Sequence, residues 1–214
     1  MTAKPPGKRV TIPAAGLLLE GCLDLPEGKG PFPGVVVCHP HPLYGGNMEN
    51  NVVVAVSRAL TRRGTAALRF NFRGVGRSQG VFAGGTGEQE DAKAALAYLA
   101  AQKAIDPART GIAGYSFGGM VALLAGEASP AAGALAAVSP VLFPGMLTAC
   151  AKPKLIICGE RDELLPCTQI MQEAAAMAEP KTVLTVPGAD HFWRGREEEV
   201  AGPVAEFFAR AFAS

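Results

Sequence analysis

The sequence predicts an α/β fold in which helices cover both faces of a mostly parallel central sheet. Segments typical of buried strands alternate along the chain with segments typical of helices, and this order indicates βαβ units. The strand candidates are short apolar runs, as in strands buried on both faces. Of the 214 residues, 49% are hydrophobic and 18% are charged, which is a globular, core-rich composition.

The N-terminal elements follow from their residue patterns. Residues 10–25 alternate loosely and predict an antiparallel pair of strands. Residues 35–38 (Val-Val-Val-Cys) predict the first parallel strand, because β-branched residues follow one another without interruption. A predicted helix over residues 51–63 ends at Gly64, and a predicted strand over residues 65–72 follows it.

The remaining chain continues this alternation. Asp106 and Pro107 predict a turn. Helices are predicted over residues 87–103, 117–127, 166–177 and 197–213. Strands are predicted over residues 111–114, 134–138, 154–158 and 182–186. Since neither a linker nor an internal repeat interrupts the pattern, residues 1–214 are predicted to form a single domain.

Charge and hydropathy exclude several classes of partner. The formal net charge is +1 at pH 7, so nothing favours nucleic acid or an anionic membrane as a partner. No apolar run reaches the ~20 residues of a membrane helix, and the N-terminus lacks the apolar stretch of a signal peptide. A cytoplasmic location is therefore predicted. Residues 4–9 are basic and are predicted to be a frayed, solvated terminus rather than a binding arm. The sequence leaves the oligomeric state open, including a homo-oligomer.

The five cysteines show no pattern of a disulfide framework or a zinc site. Their number is odd, they are widely spaced, and they contain no Cys-x-x-Cys pair. We therefore predict buried, reduced thiols at Cys22, Cys38, Cys150, Cys158 and Cys167.

Residues 114–118 read Gly-Tyr-Ser-Phe-Gly and match the pattern Gly-x-Ser-x-Gly. A strand that turns abruptly into a helix strains the serine backbone and brings the flanking positions together, where only glycine fits cheaply. Such a turn exposes Ser116 as a nucleophile and leaves the N–H of Phe117 at the start of a helix as an oxyanion donor. The alternative is an idle serine in a glycine-rich turn. The strand predicted before it and the helix predicted after it favour the nucleophile.

A serine nucleophile needs a general base, and the base needs a carboxylate that orients it. His191 lies after the last predicted strand, so a loop there would return it to the serine. Asp162 lies after an earlier strand and is our choice of acid, with Glu160 and Glu163 as local competitors. Asp190 precedes the histidine directly and is interpreted as a turn or cap residue.

The segment that follows the first parallel strand contains two histidines and two prolines. In this kind of architecture the segment supplies a second oxyanion donor. Pro40 and Pro42 have no N–H, so the donor is predicted to be His41, and Leu43 is the alternative. His39 is predicted to lock the loop by hydrogen bonding rather than to bind a metal.

The sequence does not point to a metal or a cofactor. Two histidines at i and i+2 without a nearby carboxylate are weak evidence for a metal site. Residues 73–78 contain the glycines of a phosphate-binding loop but lack its Gly-Lys-Ser/Thr ending. This loop is predicted to be structural and to lie at the rim of the site.

Together these motifs resemble the α/β-hydrolase superfamily over nearly the whole chain, and within it a small, lidless bacterial subgroup that is dienelactone-hydrolase-like. The matching segments are residues 39–42, 71–78, 114–119, 159–162 and 190–192. The resemblance implies the α/β-hydrolase fold and a triad of Ser116, Asp162 and His191, but no substrate. Dienelactone hydrolases proper use a cysteine nucleophile, and haloalkane dehalogenases an aspartate, so the serine argues against both activities.

The segment that would hold a lid contains only residues 139–153, which is too short for a lid domain. The site is therefore predicted to be open. Phe143, Met146 and Leu147 either line its edge or pack as a simple connector. An open site fits small esters better than long lipids.

The sequence thus predicts a serine hydrolase that cleaves a small-molecule ester through an acyl-enzyme, without cofactor or metal. Two alternatives stay open. A peptidase or amidase would use the same triad on an amide. A non-catalytic binding protein would keep the fold without the chemistry.

Overall fold

The computed structural model describes residues 7–213, and eight strands in it form one sheet. The sheet order is β1-β2-β4-β3-β5-β6-β7-β8. The pairs β1–β2 and β2–β4 are antiparallel, and the other five pairs are parallel. The strands are β1 (Lys8–Ala14), β2 (Leu17–Asp24), β3 (Phe32–Cys38), β4 (Ala66–Phe70), β5 (Ile105–Tyr115), β6 (Ala134–Val138), β7 (Lys154–Gly159) and β8 (Lys181–Val186). The predicted mostly parallel sheet is confirmed.

Five α-helices cover the two faces of the sheet, as predicted. One face carries α1 (Asn51–Arg62) and α5 (Glu198–Ala211), which contact each other. The opposite face carries α2 (Thr86–Ala100), α3 (Phe117–Ala128) and α4 (Cys167–Ala175). A short 3₁₀ helix, Pro42–Tyr44, follows β3. None of the described helices is long and apolar enough to cross a membrane.

The apolar run of β3 serves both cores because the strand is pleated. Successive side chains point to opposite faces of a strand. Val36 and Cys38 join the core under α2 and α3, whereas Val35 and Val37 join the core under α1 and α5. All four are buried, so an uninterrupted apolar run is what a strand in the middle of this sheet requires.

Two predictions about local structure need correction. The turn predicted at Asp106 and Pro107 lies inside β5, which begins at Ile105. At this turn signal the register between β5 and β3 shifts. There the Asp106 carboxylate accepts the N–H of Ala108. The last two residues of the terminus predicted for residues 4–9 are exposed, as predicted, but they are not frayed, because both pair with β2 and begin β1. Residues 4–6 lie outside the described residues.

The prediction of five reduced thiols is also wrong for one pair. Cys158 and Cys167 form a disulfide, with their Cα atoms 5.4 Å apart, whereas Cys22, Cys38 and Cys150 are free and buried. The end of β7 and the start of α4 are neighbours because the connection between them turns back on itself. This proximity of the two cysteines results from the fold, and no local sequence spacing such as Cys-x-x-Cys predicts it.

Candidate active site

Ser116 lies between β5 and α3 in a strained backbone conformation, with φ 56° and ψ −122°. The glycines around it allow close backbone contacts. A Cβ atom on Gly114 would lie 2.0 Å from the carbonyl oxygen of Gly118, and one on Gly118 would lie 2.2 Å from the carbonyl oxygen of His39. In this serine turn (residues 114–118), a side chain at Gly114 would therefore collide with the start of α3, and one at Gly118 would collide with the end of β3.

The structure brings Ser116, His191 and Asp162 together. Nε2 of His191 lies 3.1 Å from Oγ of Ser116, and Nδ1 lies 2.7 Å from Oδ2 of Asp162. The three residues follow β5, β8 and β7 respectively, at the edge of the sheet where the carboxyl ends of its parallel strands meet. His191 and Asp162 are both buried, so the contact between them is shielded from water.

The surroundings of Asp162 favour its charged form. Burial raises the pKa of the carboxyl, but the hydrogen bonds from His191 and from the N–H of Leu165, together with the nearby Ser139 hydroxyl, outweigh burial and hold the pKa below its ordinary value. Oδ1 accepts the N–H groups of Leu164 and Leu165 at 3.1 and 2.8 Å. The carboxylate thus presents Oδ2 to the imidazole while its other oxygen is occupied.

The other carboxylates considered at this point face elsewhere. Oε2 of Glu160 accepts the N–H of Gly188 at 2.8 Å, and Glu163 is exposed. Oδ1 of Asp190 accepts the N–H groups of Phe192 and Trp193, each at 3.0 Å. Asp190 is therefore the turn residue that its position next to the histidine predicted.

The backbone N–H groups of His41 and Phe117 are available to donate a hydrogen bond to a ligand. Within residues 7–213, neither N–H has a hydrogen-bond acceptor. The N–H of Leu43, the alternative donor, is instead bonded to Nδ1 of His41 at 3.2 Å. The His41 ring lies 4.8 Å from the Phe117 ring between centroids, so the two segments that carry the free N–H groups are in contact.

His39 locks the loop after β3, as predicted. Its Nε2 accepts the N–H of Phe72 at 3.0 Å, so Nδ1 carries the proton and donates to the carbonyl of Pro40 at 2.7 Å. Burial lowers the pKa of His39 to about 4, although the bond to Pro40 opposes the shift. The ring is therefore neutral and ties β3 to the segment after β4.

An open cavity of about 430 Å³ lies over the serine and the histidine. It is lined by Pro40, His41, Tyr44, Gly45, Gly46, Asn50, Asn51, Tyr115, Ser116, Leu164, His191, Phe192 and Arg194. The connection from β6 to β7 does not cover it. Met146 and Leu147 are buried in the core beside α3 and α4, and Phe143 is exposed, so this segment is a packed connector rather than an edge of the site.

The glycine-rich loop of residues 73–78 has the structural role that was predicted. The Arg73 guanidinium is hydrogen-bonded to the buried carboxylate of Asp91 on α2, and the Arg73 N–H bonds to the same group. None of its residues lines the cavity, so the predicted place at the rim of the site is not confirmed. Its continuation reaches the site through Phe82, whose ring centroid lies 4.9 Å from that of His41.

Sequence reasoning missed two residues that hold the histidine loop, which is the connection between β8 and α5 (residues 187–197). The Tyr115 hydroxyl donates to the carbonyl of His191 at 2.6 Å, and Nδ2 of Asn51 donates to the carbonyl of Phe192 at 3.1 Å. Tyr115 occupies the variable position of Gly-x-Ser-x-Gly, and Asn51 is the first residue of a helix. Both bond to backbone carbonyls whose place depends on the fold, so no sequence signal marks them.

Comparisons with known proteins agree with the fold described above. Residues 16–143 match the family model of the X-Pro dipeptidyl-peptidases (S15 family), and residues 81–212 match that of the dienelactone hydrolase family. An alpha-beta serine hydrolase homologue from Coxiella burnetii superposes with a TM-score of 0.85 at 32% identity, covering 96% of this chain and 99% of that one. The chain belongs to the α/β-hydrolases. Its similarity to the Coxiella burnetii protein supports a place among the serine hydrolases of that superfamily.

Other relatives of this α/β-hydrolase support the lidless subgroup. A serine hydrolase without a lid from Xanthomonas campestris has a TM-score of 0.86 at 29% identity, covering 99% of this chain and 98% of that one. An uncharacterized protein of Rickettsia prowazekii is 33% identical over 186 residues, which are 82% of this chain and 78% of the relative. The predicted family and fold are thus confirmed.

Proposed function

We propose that this α/β-hydrolase cleaves small esters through an acyl-enzyme formed on Ser116. The observation that carries the proposal is the continuous contact from Ser116 Oγ through His191 to the Asp162 carboxylate, at 3.1 and 2.7 Å. A serine hydroxyl is a weak nucleophile by itself and becomes reactive when a base accepts its proton.

The reaction divides into two halves. In the first, His191 takes the proton of Ser116 while Oγ attacks the ester carbonyl, and the N–H groups of His41 and Phe117 hold the oxyanion. His191 then protonates the leaving alcohol. In the second half, His191 activates water, which attacks the acyl carbonyl and releases the acid and the free serine. Asp162 stays ionised and stabilises the imidazolium in both halves.

The lining of the cavity supports a small, largely apolar ester as substrate. Tyr44, Leu164 and Phe192 present exposed apolar surface around the mouth. Arg194 is the one lining residue with a permanent charge among those described. A short acyl or alcohol group would be in contact with these side chains, while a long chain would extend into solvent. The proposed reaction involves neither a nucleic acid nor a membrane. The cytoplasmic location remains a prediction from the sequence.

A fluorophosphonate probe tests the nucleophile. The wild-type protein is expected to be labelled on Ser116 in a single modification, and Ser116→Ala is expected to be unlabelled and inactive on nitrophenyl esters. Peptide mapping by mass spectrometry locates the adduct. Absent labelling of the folded wild type, or equal labelling of the alanine variant, would refute the assignment and favour a non-catalytic binding protein.

An amidase or peptidase is the second candidate, because the S15 family model covers residues 16–143. A panel of nitrophenyl esters of increasing acyl length, run beside matched anilides and X-Pro amides, separates the two activities. Ester hydrolysis is expected to dominate, with kcat/KM falling as the acyl chain lengthens. Amide turnover at the ester rate would move the assignment to the second candidate.

A further inference from the structure

The peptide between Pro40 and His41 carries one of the two proposed oxyanion donors. This peptide bond is trans, so the carbonyl of Pro40 and the N–H of His41 lie in one plane and point in opposite directions. Any contact that holds the carbonyl therefore also sets the direction of the N–H. The N–H itself has no acceptor among residues 7–213, so no bond of its own sets that direction.

The carbonyl of Pro40 is held by the imidazole of His39. Nδ1 of the ring donates to the carbonyl at 2.7 Å, and the whole residue is buried. Nε2 accepts the N–H of Phe72 at 3.0 Å, and because a backbone N–H can only donate, this bond fixes the ring proton on Nδ1. The His39 ring also packs edge-on against the Phe72 ring, with 4.6 Å between the centroids. The imidazole thus has one tautomer and one position.

The backbone of His39 lies against the serine turn, which carries the second donor. A Cβ atom on Gly118 would lie 2.2 Å from the His39 carbonyl oxygen, and Gly118 directly follows Phe117. On the other side, a Cβ atom on Gly46 would lie 2.0 Å from the Pro40 carbonyl oxygen, so the chain packs closely around that oxygen as well. His39 therefore contacts the peptide of the first donor through its ring and the turn of the second donor through its backbone.

The bonds that hold the segment after the His41 N–H are different ones. The carbonyl of His41 accepts the N–H groups of Tyr44 and Gly46, each at 3.1 Å, and Nδ1 of the His41 ring accepts the N–H of Leu43 at 3.2 Å. These bonds act beyond the Cα atom of His41, so they do not directly restrain the peptide plane before it. Within the described residues, the His39 ring is the only hydrogen-bond donor to the carbonyl in that plane.

We propose that His39 is a positioning residue that aims the His41 N–H at the oxyanion. This inference rests on the proposed function, because it concerns an oxyanion donor of that reaction. The ring donates to the Pro40 carbonyl, and the rigid trans peptide transmits this restraint to the N–H on its opposite side. His39 does not line the cavity and does not touch the substrate. Its effect acts on the charge that develops on the carbonyl oxygen, so it lowers the barrier of the chemical step rather than strengthening substrate binding.

Two amide variants separate the two bonds of the ring. Glutamine places its amide near the Nε2 position, so His39→Gln keeps an acceptor for the Phe72 N–H and loses the donor to Pro40. Asparagine places its amide near the Nδ1 position, so His39→Asn keeps the donor to Pro40 and loses the acceptor for Phe72. The measurement is kcat per active site, titrated to completion with the fluorophosphonate probe.

The expected losses follow from the role of the donor. We expect His39→Gln to lower kcat by about 10- to 100-fold with KM little changed, because an oxyanion donor acts in the transition state and a misplacement of about 1 Å can cost on the order of 100-fold. His39→Asn is expected to have a kcat nearer to that of wild type than to that of the glutamine variant.

The ratio of the rates on an ester and on its thionoester reports on the oxyanion directly. Sulfur replaces the carbonyl oxygen in the thionoester and accepts hydrogen bonds weakly, so two well-aimed donors favour the oxygen ester. In His39→Gln this preference is expected to fall by about 10-fold or more, because one donor is misdirected. In His39→Asn it is expected to persist. A variant that is merely less well packed would lose rate equally on both substrates.

Thr110→Val is the matched control. The Thr110 hydroxyl is a buried donor to the backbone carbonyl of Ala131, and Thr110 lies in β5 well before Ser116. The variant is expected to lose stability but to keep the wild-type kcat and the wild-type ratio of oxygen to sulfur rates.

Two outcomes would overturn the inference. One is a wild-type kcat and rate ratio in His39→Gln, and the other is a loss of the oxygen preference in His39→Asn. Each variant decides the question by itself if the other does not fold. Unlabelled wild type would instead overturn the proposed function.

Discussion

At the scale of the residue, Gly118 packs tightly against the end of β3. A Cβ atom there would lie 2.2 Å from the carbonyl oxygen of His39, which is backbone and has no room to move. Gly118→Ala is therefore expected to displace the serine turn, to lower the free energy of unfolding by roughly 1–3 kcal/mol or more, and to abolish probe labelling. Urea unfolding and labelling of the same sample measure both effects.

Gly202 in α5 is the matched control for this prediction. Apart from its own helix backbone, no described heavy atom lies within 4 Å of a Cβ placed there. Gly202→Ala is expected to change the free energy of unfolding by less than about 1 kcal/mol and to leave probe labelling unchanged, because the helix preference of alanine is opposed by the crowding that Pro203 imposes on a Cβ at the preceding residue. A Gly118→Ala protein as stable and as reactive as this control would contradict the close packing of the turn.

The buried His39 makes stability depend on pH. Its pKa is lowered to about 4 in the folded protein by burial, against an ordinary value of 6.5. Between these two values the unfolded chain binds more protons than the folded one, so stability falls as the pH is lowered. From about pH 7.5 to about pH 5 this single group is expected to remove about 2 kcal/mol from the free energy of unfolding.

His39→Gln isolates that contribution. Glutamine offers an oxygen to the N–H of Phe72 but does not titrate, so the variant is expected to show a flatter pH dependence over the same interval. Urea unfolding at the two pH values, for both proteins, gives the difference directly. Equal slopes would mean that His39 is protonated in the folded state or solvated there.

At the scale of the element, the connection between β7 and α4 carries Asp162 and is closed by the Cys158–Cys167 disulfide. Alkylation of the unfolded protein without reductant is expected to modify three cysteines, Cys22, Cys38 and Cys150, and with reductant all five. Intact mass spectrometry counts the adducts. Reduction is expected to lower the free energy of unfolding by roughly 2–3 kcal/mol, as for a short closed loop.

Cys167→Ser provides the control for the disulfide. It leaves Cys158 without its partner, so four cysteines are expected to react in the absence of reductant. If the unreduced wild type already reacts at all five positions, the two thiols are in contact without being bonded, and the reduced state predicted from the sequence is the right one.

Elements were predictable from the sequence where the signal is local. The apolar run of β3 and the glycines on either side of Ser116 each reflect a requirement of the immediate backbone, and both predictions held. The full length of β5 was not predictable, because Asp106 and Pro107 signal a turn that the sheet accommodates by a shift in register. The disulfide, likewise, depends on how two elements end beside each other.

The same distinction between local and long-range signals applies to the residues of the site. Ser116, Asp162 and His191 could be proposed because strand ends converge in a parallel sheet and chain order restricts the candidates. Tyr115 and Asn51 could not, because each bonds to a backbone carbonyl near His191 that no sequence signal marks. Their hydrogen bonds join residues 76 and 141 positions apart, and they exist only once the fold is known.

At the scale of the whole molecule, one sheet separates two apolar cores. The core under α1 and α5 and the core under α2, α3 and α4 share the same strands, so neither core can form without the sheet. The antiparallel strands β1 and β2 join the parallel part of the sheet through β4. Strand alternation predicted the two layers of helices, but the order of strands within the sheet is a long-range property that the sequence does not show.

This shared sheet predicts that residues 7–213 unfold as one unit, as expected of the single domain proposed from the sequence. The protein has one tryptophan, Trp193, which is completely buried beneath the histidine loop and reports on packing there. In a urea titration, Trp193 fluorescence, far-UV circular dichroism and fluorophosphonate labelling are expected to change with the same midpoint, as in a two-state transition. Loss of fluorescence and labelling at lower urea than the loss of helix signal would show that the site loops unfold separately from the sheet. In that case the strained residues at the site are held by local contacts alone, and the two cores are independent of them.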